Sequence, residues 1–119
     1  MRRPTRRPEQ VAGTIRQVIT DALAREVRDP RVGFVTVTGV LVTNDLSHAR
    51  VMVSVAGDDA EKEKALEGLR SAAGFLRTRA ARALTTRTVP ELHFELDKGV
   101  EHAARIERLL QTIRREEQD

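Results

Sequence analysis

Apolar residues fall at helical spacing from the start of the chain: Val11, Ile15, Val18, Ile19, Ala22, Leu23 and Val27 make one stripe. Such a stripe predicts an amphipathic helix. Pro8 suits its first turn, where a missing N–H costs nothing. Asp29-Pro30 ends it, because the residue before proline is pushed out of helical angles. The period then changes. Phe34 to Val42 is β-branched and nearly unbroken in its apolar character, which predicts a central or well-covered strand. Asn44 and Asp45 supply turn chemistry. From Ala49 to Val55, Val51, Val53 and Val55 alternate with Arg50, Met52 and Ser54. That alternation predicts a half-exposed strand paired with the first in a hairpin.

Gly57 closes the hairpin, and Asp58 with Glu61 has capping-box spacing at the start of a second helix. Its apolar pattern runs through Ala65, Leu66, Leu69, Ala72, Ala73, Leu76, Ala80 and Leu84. Straight, this helix would be about 37 Å long at roughly 1.5 Å per residue. A compact domain of this length is only about 35 Å across. Gly74 lies inside the run, where glycine costs roughly 1 kcal/mol relative to alanine. A kink at Gly74 is therefore expected. Thr85, Thr86, Thr88, Val89 and Pro90 lead out of the helix. Leu92, Phe94 and Leu96 alternate with His93, Glu95 and Asp97 as a third strand. Asp97 is placed to cap a last helix with Val100, Ala103, Ile106, Leu110 and Ile113 on its inward side.

The elements define an α+β fold: α-β-β-α-(kink)-α-β followed by a C-terminal helix, a three-stranded sheet with helices packed on one face. The other face, carrying Arg50, His93 and Glu95, is expected to be partly open. Residues 1–7 read as a flexible basic arm, 8–115 as a single domain and 116–119 as a short acidic tail.

Charge changes the picture. The chain of 119 residues has a formal charge of only +3, yet an isoelectric point near 10.1. The positive charge is segregated. Arg2, Arg3, Arg6 and Arg7 fill the arm with no acid among them, and Arg70, Arg77, Arg79, Arg82 and Arg87 occupy 68–90 without an acid. Acids crowd 58–67 instead. Clustered arginine is the footprint of a polyanionic partner, and guanidinium groups hold phosphate bidentately. With Phe34, Phe75 and Phe94 as the only aromatic residues apart from histidine, all three expected in the core, recognition should rest on RNA backbone and shape. A solvated helix face and a protein-interaction module are the competing readings of the same charges.

Other chemistry is poorly supplied. No cysteine is present, so neither disulfides nor thiolate metal sites can form. His48, His93 and His102 are scattered in sequence, and Asp58, Asp59 and Glu61 serve better as helix caps than as magnesium ligands. There is no phosphate loop and no nucleophile elbow. The expectation is no catalysis, no cofactor, no metal and no small-molecule substrate. No apolar run approaches the roughly 20 residues that span a bilayer, and the arginine-rich start lacks the apolar stretch of a secretory signal. A cytoplasmic protein without a membrane partner is expected.

Three strings carry a family resemblance. Asp29-Pro30-Arg31-Val32-Gly33-Phe34-Val35-Thr36-Val37, Asp45-Leu46-Ser47-His48-Ala49-Arg50-Val51 and Val89-Pro90-Glu91-Leu92-His93-Phe94-Glu95-Leu96-Asp97 resemble the strand entries of the ribosome-binding factor A family. The element order resembles a type II KH domain. The likeness spans nearly all of residues 8–112. KH domains clamp RNA on a Gly-x-x-Gly loop; this chain has Ala72-Ala73-Gly74 there, similar to the family's Ala-x-Gly kink. The resemblance implies a monomeric assembly factor that binds free, immature small ribosomal subunits through their rRNA. It also implies support for maturation of that rRNA near its 5′ end and a link to growth in the cold. A KH-like RNA-binding or protein-interaction module outside ribosome biogenesis is the alternative. Candidate RNA-contacting residues are Arg70, Ala72, Ala73, Gly74, Arg77, Arg79, Arg82 and Arg87, with Arg2, Arg3, Arg6 and Arg7 of the arm.

Overall fold

The computed structural model describes residues 7–118. Helix α1 spans Pro8–Arg25, and a short 3₁₀ turn follows at Pro30–Val32. Strands β1 (Val35–Val42) and β2 (His48–Val55) form the hairpin. Helix α2 spans Asp59–Ala83, β3 spans Glu91–Leu96 and α3 spans Lys98–Gln118. Helix starts are specified locally, as the sequence implies. Pro8 opens α1, Asp58 and Glu61 form a reciprocal capping box at α2, and the Asp97 carboxylate accepts from Val100 N–H at 3.1 Å.

Strand order is β1-β2-β3, with β1 and β2 antiparallel and β2 and β3 parallel. β2 is thus the central strand, and β1, expected to be central or well covered, is an edge. A bulge explains the misleading pattern. The register shifts between Val37 and Gly39, so Val35 and Val37 face Val55 and Val53, whereas Val40 and Val42 face Val51 and Ala49. The inward positions change from odd to even across the bulge, which writes an apparently continuous apolar run into a one-sided strand. Leu41, opposite Arg50 on the outer face, is exposed.

Helices α1 and α2 cover one sheet face. Val11, Ile15 and Ile19 of α1 meet Leu69, Leu76 and Ala80 of α2 and Ala49, Val51 and Val53 of β2 in one core, all fully buried. The opposite face bears Arg50, His93 and Glu95 and is open, as expected.

Three further expectations are corrected. First, α2 is one continuous helix with no break at Gly74; among the described glycines only Gly57 has a positive φ, 129°. The full helix is accommodated because the chain is not compact. Its radius of gyration is 17.4 Å, against about 13.5 Å for a compact domain of this length. Both halves of α2 are held, by Ala65, Leu66 and Leu69 on one side of Gly74 and Leu76 and Ala80 on the other. The glycine that close packing requires is Gly68: a Cβ there would lie 2.9 Å from Val32 Cγ1, in the turn that crosses the helix. Second, α3 has no buried residue, and its inward set of Val100, Ala103, Ile106, Leu110 and Ile113 is exposed. Its amphipathic pattern is real, but α1 and α2 already occupy the sheet face. Third, only Phe94 lies in the core; Phe34 is 76 % exposed and Phe75 41 %. Phe34 precedes β1 outside the sheet, and Phe75 lies under the guanidinium of Arg79, 5.2 Å from its ring centre.

Candidate nucleic-acid interface

The helical period places Arg70, Gly74, Arg77 and Ala81 on one stripe of α2. That stripe runs beside β3, the second edge of the sheet. Near the start of β3, Gly74, Arg77, Thr78, Ala81, Arg87 and Val89 line a shallow depression of about 400 Å³. Arg77 is fixed there by donating from Nη2 to the Val89 carbonyl at 2.8 Å. A Cβ on Gly74 would meet nothing within 4 Å, so the helix backbone is bare toward solvent at this point. At the other end of β3, Arg70 shares a second depression with Phe94, Leu96, Lys98 and Arg105.

The acids near this second depression are already engaged. Lys62 holds Glu101 at 2.8 Å, and Arg50 holds Glu95. Among the described residues Arg77, Arg82, Arg87, Lys98 and Arg105 form no ion pair, and Arg70 makes only a long one to Glu63, at 3.9 Å. The result is a basic, shallow surface along an edge strand, with one bare stretch of helix backbone. Its guanidinium groups can donate N–H bonds to phosphate oxygens, and the surface is too open to enclose a small molecule.

The predicted residues do not all converge. Gly74, Arg77 and Arg87 come together, and Arg70 lies further along the same stripe. Arg79 turns away to α1, where it pairs with Glu26 and stacks on Phe75; its Nε is buried without a hydrogen-bond partner. Ala72 and Ala73 are half-buried against the core. Arg82 is exposed. Arg7 is exposed just before α1, its N–H donating to Gln10 Oε1 at 3.3 Å. Arg2, Arg3 and Arg6 lie outside the described residues. With α2 unbroken, no helix N-terminus is created after Gly74, and no backbone N–H groups are freed there to hold an anion.

The structure adds two features to what the sequence shows. Histidines scattered in sequence meet in space: parallel pairing sets His48 opposite Glu91, and His48 Nδ1 lies 3.0 Å from His93 Nε2. The alternation already put His93 and Glu95 on the open face; the parallel register was the missing information. The hairpin turn is also tightly built. Asp45 accepts from the hydroxyls of Thr43 and Ser47, both at 2.7 Å, and from Ser47 N–H at 3.1 Å. The Ser47 and Thr43 hydroxyls pull its carboxyl down to about 2. This turn holds Leu46 at φ 62°.

A helix-strand-strand-helix-strand domain with a three-stranded sheet is a KH-like architecture. The match extends to one family. The family model described as ribosome-binding factor A matches residues 7–110. A ribosome-binding factor A from Thermomicrobium roseum is 49 % identical over 97 % of this chain and 89 % of its own length. One from Desulforamulus reducens is 42 % identical over 93 % and 92 %. The chain belongs to the ribosome-binding factor A family. Solved structures agree: a putative ribosome-binding factor A from Thermotoga maritima, solved by NMR, superposes with a TM-score of 0.70 at 35 % identity, covering 83 % of this chain and 94 % of that one. A homology model of the Thermus thermophilus factor, fitted into the cryo-EM map of a 30S complex, gives 0.53 at 30 % identity, covering 71 % and 93 %.

Proposed function

We propose that this protein is an assembly factor that binds the free, immature small ribosomal subunit through its rRNA. The observation that carries the reading is family membership joined to the basic stripe of α2. Arg70, Arg77 and Arg87, with Gly74 between the first two, border a surface open enough for a folded RNA and too shallow for a small substrate. Arg77 and Arg87 take phosphates; Gly74 lets the sugar-phosphate chain approach the helix backbone. Arg82 and the arm residues Arg2, Arg3, Arg6 and Arg7 add sequence-independent attraction. Arg79 supports the surface from behind through Glu26.

The protein acts as a monomer in the cytoplasm, without cofactor and without catalysis. It assists late maturation of the small-subunit rRNA at its 5′ end, a role that matters most in the cold, when misfolded RNA escapes slowly. No helix among the described residues is long and apolar enough to cross a membrane. Sedimentation with free small subunits, assembled ribosomes and free large subunits at matched salt tests the reading. Preferential co-sedimentation with free small subunits is expected; equal association with all three would overturn it.

A further inference from the structure

The open sheet face carries a constellation that the RNA surface does not use. On this face β2 presents His48 and Arg50, and β3 presents Glu91, His93 and Glu95. Parallel pairing sets His48 beside Glu91 and Arg50 beside His93. The side chains then couple diagonally: Arg50 with Glu95, and His48 with His93, their rings 5.1 Å apart between centroids. His48 Nδ1 lies 3.0 Å from His93 Nε2 and 3.9 Å from Glu91 Oε2. One ligand atom from each of the three residues falls within 4.8 Å of the others.

We propose that His48, Glu91 and His93 form a surface site for a borderline-soft divalent cation of the zinc, nickel or copper class. Two imidazoles and a carboxylate are the donor set that class prefers over magnesium or calcium. The spacing also fits. Zn–N bonds of roughly 2.0–2.1 Å at a tetrahedral angle place two nitrogens about 3.3 Å apart, a few tenths of an ångström from the separation observed. A small χ2 rotation in each exposed ring supplies the difference. At this separation one ring N–H can donate to the other ring's nitrogen; a bound ion would instead take both nitrogens as ligands. Arg50 is the nearest cation on the face, and its charge is met by Glu95. The His48 and Glu91 side chains are 52 % and 65 % exposed, so a coordination position remains open to water. Bound metal would clip β2 to β3 at the start of their parallel pairing.

The test uses the full, untagged chain titrated with zinc by calorimetry and with cobalt(II) by visible absorption. One ion per chain is expected, with the ring signals of His48 and His93, and not of His102, shifting together in NMR spectra. His93→Ala should weaken binding by more than about tenfold, since even outer-shell partners are worth roughly 10–100-fold. Glu91→Gln should weaken it less, and His102→Ala not at all. Circular dichroism confirms that each variant remains folded. Absence of stoichiometric binding, unshifted His48 and His93 signals, or equal binding by His93→Ala would each overturn the site and leave only a hydrogen-bonded histidine pair.

Discussion

The hydroxyl of Thr38 donates a 2.6 Å hydrogen bond to the carboxylate of Asp97, 59 residues further along the chain. Thr38 is the extra residue of the β1 bulge, and Asp97 caps α3. One bond therefore ties the edge-strand irregularity to the exit from β3, while Asp97 N–H donates to the Val53 carbonyl at 2.8 Å. The Thr38 hydroxyl, and after it the Val100 N–H, hold the Asp97 carboxyl below its ordinary range.

Asp97→Ala is expected to lower the unfolding midpoint and fray the start of α3. A carboxyl with a depressed folded-state pKa contributes stability that is present above its unfolded value and is lost as pH falls through the folded one. The gap between wild type and variant should thus be full at pH 7 and shrink below about pH 4. Thermal unfolding followed across this range checks it; a gap unchanged at low pH would remove the carboxylate from the explanation.

Asp45 obeys the same sign at the hairpin turn. With its carboxyl pulled down to about 2, its contribution should persist to lower pH than that of an ordinary carboxylate. Asp45→Ala should destabilise at pH 5 and converge with wild type only as pH approaches 2. Leu46, held by this turn at φ 62°, should then show increased amide exchange in the variant.

The two glycines of α2 should respond in opposite directions to alanine. At Gly74 the new methyl meets open space, so Gly74→Ala should stabilise by about 0.5–1 kcal/mol through helix propensity. At Gly68 it would press on Val32 and Arg31. Overpacking of this kind costs roughly 1–3 kcal/mol, so net destabilisation is expected. Urea unfolding of both variants separates the readings. If Gly74→Ala is more stable yet binds small subunits less well, the bare backbone serves the partner.

Helix α3 should be dispensable for the fold. It buries no residue and is held at its first turns by Asp97 and by the pairing of Glu101 with Lys62. Truncation after Arg105 should change stability by less than about 0.5 kcal/mol, the usual range for exposed features. A large loss would mean that the apolar face of α3 packs in solution.

Element types and order were legible because each is written locally: Pro8 and Asp58 mark helix starts, Val51-x-Val53-x-Val55 marks a strand, and Asp97 marks a cap. What remained hidden depends on pairing. The bulge at Thr38 reverses the inward parity of β1, so an edge strand reads as a central one. Gly74 drew attention as the anomalous glycine of α2, yet Gly68 is the one that packing demands, because the contact with Val32 comes from another part of the chain. Among the predicted cations, Arg77 and Arg87 converge where Arg79 does not; nothing in their spacing foretells that Glu26 captures Arg79. His48 and His93 are 45 residues apart and meet only through a parallel register.

The α2 stripe beside β3 is the proposed RNA-binding surface. Binding of free small subunits, measured against salt for two charge-matched double variants, tests it most directly. Arg77→Glu with Arg87→Glu reverses the stripe, whereas Arg108→Glu with Arg115→Glu makes the same charge change on exposed α3. The stripe variant should bind at least about tenfold more weakly, equivalent to roughly 1.4 kcal/mol. Its log–log salt slope should be shallower by about 1.4, two phosphate contacts on single-stranded RNA. The α3 variant should keep the slope and most of the affinity. Equal loss in both variants would show that net charge alone drives binding and would contradict the assignment of the stripe.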